Sequence, residues 1–184
     1  WSSDVCSSDL PLHNMKKDNV LRSIFEAEPG HVLTEIDQSH FEVRGITAVA
    51  DVSALRRIFV RGLDPYKDTA AKLYRVRYED VTPAMRKLCK TGFLASLYGI
   101  GPSSFAIKCE ITLDEAKRFF KQFNKLFPEI AEWQAGVMRK VESGQPVVTL
   151  SGRTRVFQLT GDDGKDAHVC NAAINYPIQS VCSD

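Results

Sequence analysis

Apolar and polar side chains alternate along His31-Val32-Leu33-Thr34-Glu35-Ile36-Asp37, just after a Pro29-Gly30 turn. That period predicts a half-buried strand that delivers Asp37 at its end. From Phe41 the period becomes helical: Phe41 to Ala50, then Ser53 to Arg61, with a break near Asp51 and a stop at Gly62. Asp64-Pro65 predicts an N-cap and first helical residue for a helix to about Tyr74, and Thr82-Pro83 repeats the device for a helix ending at Tyr98-Gly99. A short helix to about Cys109 follows the Gly101-Pro102-Ser103 turn. Thr112 and Glu115 form a capping box that opens a long helix, with Ala116, Phe119, Phe120, Phe123, Phe127 and Ile130 as its core stripe and a kink at Pro128. Val147 to Leu150 and Thr154 to Leu159, separated by Ser151-Gly152-Arg153, predict a hairpin. Asp162 to Lys165 reads as a loop, and Asp166 onward as a helix interrupted by Pro177.

Composition adds limits. The 184 residues are 43% hydrophobic and 26% charged, the balance of a globular domain. There is no run of about 18 apolar residues, so no membrane span is predicted. Five cysteines without a CxxC pair predict reduced thiols in a cytoplasmic setting rather than a zinc knuckle or a disulfide framework. Trp1 to Leu10 lacks the basic start and apolar core of a signal peptide. Its DVCSSDL stretch is what GAC GTG TGC TCT TCC GAT CT would encode, a string that resembles a sequencing adapter, so residues 1–10 are read as non-native. Without Asp4 and Asp9 the net charge moves from +1 to +3. The even overall balance hides a basic middle: Lys72, Arg75, Arg77, Arg86, Lys87 and Lys90, then Lys117, Arg118, Lys121 and Lys125. Such a middle suits nucleic acid, or is simply a set of solvated helices.

Chemistry comes from spacing. Arg86, Lys90, Leu94 and Tyr98 recur at steps of four, along roughly 18 Å of one helix face. Two cations four apart repel unless an anion lies over them, and a triphosphate suits the pair: Arg offers a fork, Lys a compact charge that can donate a proton. The alternative is a solvated basic face. Asp37 at a strand end, followed by Glu42 and Arg44, is either a ligand for a hard cation such as Mg2+ or a turn residue. Asn171, Asn175 and Gln179 form a polar stripe that either lines a minor groove and phosphates or faces water.

Taken in order, these pieces resemble family A DNA polymerases, the DNA polymerase I type. Ile36-Asp37-Gln38-Ser39-His40-Phe41-Glu42-Val43-Arg44 is similar to the first palm motif, written DYSQIELR. Arg86-x3-Lys90-x7-Tyr98-Gly99 resembles the fingers motif R-x3-K-x7-YG. Thr149-Leu150-Ser151-Gly152-Arg153 resembles a T-L-x-G-R hairpin, and Ala172 to Gln179 the A-A-I-N-x-P-x-Q helix. The resemblance spans about residues 12 to 184, with the four motifs in the right order.

The resemblance implies a mostly helical α+β fold, a partial right-hand polymerase made of a palm strand and helical fingers. Residues 11–44 would be partial palm, 45–165 fingers, and 166–184 the start of a palm helix. It implies a DNA polymerase that adds deoxynucleoside triphosphates to a primer–template with two Mg2+ ions, as a monomer. Asp37 and the Gln38 main-chain carbonyl would bind the metals, and Asp37, Arg86 and Lys90 would be catalytic. Glu42 would exclude a ribose 2′-OH. Arg86 and Lys90 would hold the triphosphate, Lys90 would protonate the leaving pyrophosphate, and Tyr98 would stack near the templating base. Asn175, Gln179 and Arg153 would contact DNA.

Departures qualify the match. Leu94 replaces a sugar-packing aromatic residue, a variation familiar among phage enzymes that points to a viral source. Tyr66 stands where a phosphate-contacting His is usual, Gln38 replaces a Tyr, and Asn171 replaces a DNA-contacting Arg. Gly92 costs about 1 kcal/mol in mid-helix and would soften a moving helix. The family's second metal-binding carboxylates lie beyond the helix at which these residues stop, so the chain by itself is expected not to polymerise DNA. The alternatives are a non-catalytic helical nucleic-acid-binding module, a degenerate prophage remnant and an RNA-making relative, the last disfavoured by Glu42.

Overall fold

The computed structural model describes residues 25–34 and 38–183. The chain divides into a short unit that ends at Gln38 and a large unit that begins at Ser39.

In the short unit the Pro29-Gly30 turn forms. Gly30 takes φ 82°, and the His31 N–H donates to the Glu28 carbonyl at 2.9 Å. The expected strand does not form over residues 31–34, and Val32 and Leu33 are 85% and 67% exposed rather than half-buried. A strand needs a ladder partner for its backbone groups. Among the described residues the only ladder lies elsewhere, in the hairpin. Glu35 to Asp37 lie outside the described residues, and Asp37, the expected metal ligand and catalytic residue, with them.

The large unit is helical: α1 (Phe41–Val49), α2 (Ser53–Val60), α3 (Pro65–Tyr74), α4 (Pro83–Leu97), α5 (Pro102–Cys109), α6 (Leu113–Leu126), α7 (Pro128–Glu142) and α8 (Asp163–Ser183). The strands β1 (Val147–Val148) and β2 (Thr154–Arg155) pair antiparallel between α7 and α8, with Val147 opposite Arg155. The caps form where the sequence places them. Asp64 Oδ1 accepts from the Tyr66 and Lys67 N–H groups, Thr82 Oγ1 from Met85 N–H, and Thr112 and Glu115 close a reciprocal capping box.

Two helices differ from expectation. Pro128 does not kink one long helix but separates two, since Phe127 before it sits at φ −134°, ψ 63° and Pro128 becomes the first residue of α7. A proline disfavours helical backbone in the residue before it and favours the start of a new helix. Pro177, by contrast, does not interrupt α8, which runs through it. Ala173, Ile174 and Ile178 on either side are buried, and that packing offsets the bond the proline cannot make. Asp163 and Gly164 also belong to α8, whose start is closed by the Asp162 carboxylate accepting from Lys165 N–H at 3.0 Å.

The main core gathers the buried faces of α1 to α7, and Phe93, Phe105, Phe119, Phe123 and Phe127 interlock in it at ring separations of 4.9–6.1 Å. A smaller core joins Val137 and Val141 of α7, Val147 and Phe157 of the hairpin region, and Ala173 and Ile174 of α8. Two glycines permit close approaches. A Cβ at Gly45 would stand 3.2 Å from the Ile178 side chain, where α1 meets α8, and a Cβ at Gly92 would overlap the Phe119 ring of α6. Gly92 is therefore a packing position, not a softener of α4. Cys89, Cys109 and Cys170 are free thiols, and burial pushes that of Cys89 up to about 12.

Candidate functional site

α4 buries Cys89, Gly92, Phe93, Ala95 and Leu97, which leaves Arg86, Lys90, Leu94 and Tyr98 along its other edge. Arg86 already has an anion. Its Nε and Nη2 donate to Asp64 Oδ2 at 2.9 and 2.6 Å. The sequence marks Asp64 only as a cap, because its partner lies 22 residues away on another helix. Burial pushes the Asp64 carboxyl up. The Lys67 N–H, the hydrogen bond and charge of Arg86, and the charge of His40 outweigh that and hold it below the ordinary carboxylate value.

Tyr66, on the first turn of α3, is the floor under both cations. Its ring centroid is 5.6 Å from the Arg86 guanidinium carbon and 6.0 Å from Lys90 Nζ, within cation–π range. The ring is 3% exposed and wedged between His40 and the edge of Phe93. Burial first, then the charges of Glu42 and Asp64, push its hydroxyl up to about 12, so Tyr66 stays neutral at physiological pH. Lys90 itself is exposed, and no carboxylate pairs with it among the described residues.

A second cluster joins three helices. Gln179 Nε2 of α8 donates to the Tyr98 hydroxyl at 3.0 Å, and that hydroxyl donates to Glu42 Oε1 of α1 over a long 3.4 Å. Burial, then the Glu42 charge, push the Tyr98 hydroxyl up against the pull of Gln179. Tyr98 ends α4, and Gly99 after it takes φ 67° with no room for a Cβ beside the Asn171 amide. Leu94 is half-buried one turn earlier. The structure thus brings together Glu42, Tyr98 and Gln179, which the sequence offers only as members of three separate motifs, and sets Asn171 beside Gly99.

The polar stripe of α8 does not simply face water. Asn171 and Asn175 are half-buried, Asn175 Nδ2 donates to the Asn171 carbonyl at 2.9 Å, and Asn175 Oδ1 is buried without a hydrogen-bond partner. Arg153 is exposed on the hairpin turn, where its N–H and carbonyl bond to Thr149. Arg44 donates to the Ser39 carbonyl and lies over the Phe59 ring, a local anchor for the start of α1. Gln38 is exposed in the short unit. Part of the basic middle is neutralised locally, since Lys72 pairs with Asp68 and Arg77 with Asp80. Lys87, Lys117, Arg118, Lys121 and Lys125 remain exposed.

Among the described residues no three His, Cys, Asp or Glu side chains converge, and Asp37, the expected metal ligand, lies outside them. No described helix is long and apolar enough to cross a membrane.

Comparison with known proteins agrees with this architecture. The family model for DNA polymerase family A matches residues 5–184. DNA polymerase I of Caldicellulosiruptor bescii is 27% identical over 98% of this chain, and the thermostable DNA polymerase I of Thermus aquaticus is 28% identical over all of it. The chain spans 22% of the length of each of these relatives. The POL domain of Pol1 from M. smegmatis, solved in complex with DNA primer-template and dNTP, superposes with a TM-score of 0.71 at 25% identity, over 78% of this chain and 26% of that one. The fold is that of a partial polymerase domain, mostly helical with a small two-stranded sheet.

Proposed function

This chain belongs to DNA polymerase family A, and from that premise we propose that it forms the nucleotide-binding part of a template-directed DNA polymerase that extends a primer 3′ end with deoxynucleoside triphosphates. What carries the reading is the α4 edge. Arg86 and Lys90 stand side by side over Tyr66, and Tyr98, two turns beyond Lys90, is tied to Glu42 and Gln179. Cations for a triphosphate and polar groups for a duplex thus converge on one helix.

In this reading each residue acts at a stated place. Arg86 and Lys90 bind the triphosphate, and Lys90 gives a proton to the departing pyrophosphate. Glu42, held by the Tyr98 hydroxyl, stands against the sugar and rejects a 2′-OH. Leu94 packs on that sugar, Tyr66 supports the two cations, and Tyr98 lies near the templating base. Asn171, Asn175, Gln179 and Arg153 follow the primer–template duplex. Residues 11–44 and 166–184 form palm and 45–165 fingers. Relatives of this family use divalent metal ions, which would supply charge neutralisation for phosphoryl transfer through Asp37 and the Gln38 carbonyl. The roles given to the other side chains do not depend on that ion.

The test is primer extension. A chimera that carries residues 11–184 in place of the matched segment of the Thermus aquaticus relative extends a primer. The 184-residue chain alone does not, because the family's second carboxylate pair is not among its residues. A chimera that folds and binds duplex but never extends it sinks the polymerase reading. Robust magnesium-dependent extension by the chain alone sinks its second part. In the same chimera Leu94→Phe shifts the ratio of sugar-modified to natural nucleotide incorporation, and an unchanged ratio removes Leu94 from the sugar contact.

A further inference from the structure

The α4 site contains a carboxylate to which the proposed function gives no part. Asp64 is held in place from several sides. Its Oδ1 accepts from Tyr66 N–H at 2.8 Å and Lys67 N–H at 3.0 Å, and its own N–H donates to the Tyr78 hydroxyl at 3.1 Å. Only Oδ2 is left to look outward, and both Arg86 hydrogen bonds end there. His40 Nε2 lies 3.6 Å from the same oxygen. The Asp64 and Arg86 side chains are 24% and 39% exposed, so the pair sits at the rim of the site, neither fully solvated nor sealed.

A guanidinium has five N–H donors. Two are spent on Oδ2, which leaves both hydrogens of Nη1 and one of Nη2. The face of the group rests over Tyr66. Arg86 is therefore pinned by one edge and one face, with the opposite edge open.

We propose that Asp64 is a positioning residue for Arg86: it orders the guanidinium so that the open edge meets the triphosphate, and it sets triphosphate affinity through Arg86 without touching the ligand. The proposal rests on the triphosphate role of Arg86 given above. A loose arginine must be ordered on binding, and that ordering weakens affinity. The anchor is rigid because Asp64 is itself held by a helix cap. The opposing effect is repulsion between the carboxylate and an anionic ligand. That repulsion is reduced because Oδ2 is already matched by Arg86 and the rim is open to salt screening. Ordering therefore outweighs repulsion, which fixes the sign of the expected change.

The experiment measures binding of inorganic triphosphate to the 184-residue chain by calorimetry, for the parent, D64N, R86A and the double variant. Asparagine keeps the cap and removes the charge, and thermal unfolding checks that the fold survives. D64S, another strong cap, replaces D64N if it does not. The expected result is that D64N weakens triphosphate binding about tenfold, within the usual range for coupled neighbours, and causes no further loss when R86A is present. The Arg86 Nε–H NMR signal, protected from water exchange in the parent, is lost in D64N. Unchanged or tighter binding by D64N while R86A binds weakly would make Asp64 a competing anion and overturn the proposal. An equal loss on top of R86A would also overturn it, since Asp64 would then act by another route. If R86A binds like the parent, the triphosphate reading fails and the affinity claim with it. The NMR signal still reports separately whether Asp64 holds Arg86.

Discussion

Lys90→Ala in the chimeric polymerase slows nucleotide addition by about 10²–10⁴-fold, the usual worth of a placed proton donor, while affinity for primer–template falls less than about threefold, as for a lost exposed contact. The asymmetry follows from where Lys90 stands. Arg86 is engaged by Asp64, whereas Lys90 is exposed and has no carboxylate partner among the described residues. Its ammonium is held only against the Tyr66 ring, 6.0 Å from the centroid. It is thus the less encumbered cation of the pair and the better placed to move a proton. Lys90→Arg separates charge from proton donation, because arginine does not lose its proton in proteins. That variant retains most of the nucleotide affinity and keeps the rate defect. Single-turnover extension with a titration of nucleotide reads both quantities. Equal losses of rate and duplex affinity in Lys90→Ala would remove the triphosphate role.

Gly92→Ala destabilises the chain by about 2 kcal/mol, against the direction that helix propensity alone predicts. Alanine is favoured over glycine in a helix interior by about 1 kcal/mol. At this position, however, the new methyl would overlap the edge of the Phe119 ring and stand 3.0 Å from Phe105 Cζ. Phe119 is 7% exposed, with Phe105, Phe120 and Phe123 rings around it at 5.1–6.1 Å, so the ring has nowhere to retreat. Forcing a methyl into such a core costs about 3 kcal/mol at the upper end of the usual range, which leaves the propensity gain outweighed. For a chain of this length the loss lowers the melting temperature by about 4–8 °C. Urea unfolding of the purified chain measures it, and a Phe119→Leu partner substitution recovers part of the loss because the two sites share one contact. A Gly92→Ala variant more stable than the parent would mean that α4 and α6 do not pack as described.

Helix starts and stops were legible in the sequence because capping is a local affair. Asp64-Pro65, Thr82-Pro83 and the Thr112–Glu115 box satisfy backbone groups within a few residues of themselves, and each appears as read. The Thr149-to-Arg153 turn also forms, but its strands cover only Val147–Val148 and Thr154–Arg155 rather than Val147 to Leu150 and Thr154 to Leu159; the α4 stripe needs only the helical repeat. Prolines were harder, since the outcome depends on what packs beside them. Pro128 starts a helix where a kink was expected, and Pro177 rides inside α8, flanked by buried Ala173, Ile174 and Ile178.

The sequence by itself determined the local helices, their caps and the order of four motifs, because each depends on neighbours along the chain. Tertiary structure alone decided which motif members meet. Asp64 and Arg86 are 22 residues apart, Glu42 and Tyr98 56, and Tyr98 and Gln179 81. No spacing rule reaches that far. Those pairs form because burial of the Phe93 and Phe119 faces and the close approach of α1 to α8 at Gly45 fix the helices in space. Among the described residues no ladder partner meets residues 31–34, and the expected strand does not form there, since alternation makes a strand possible and only a partner makes one.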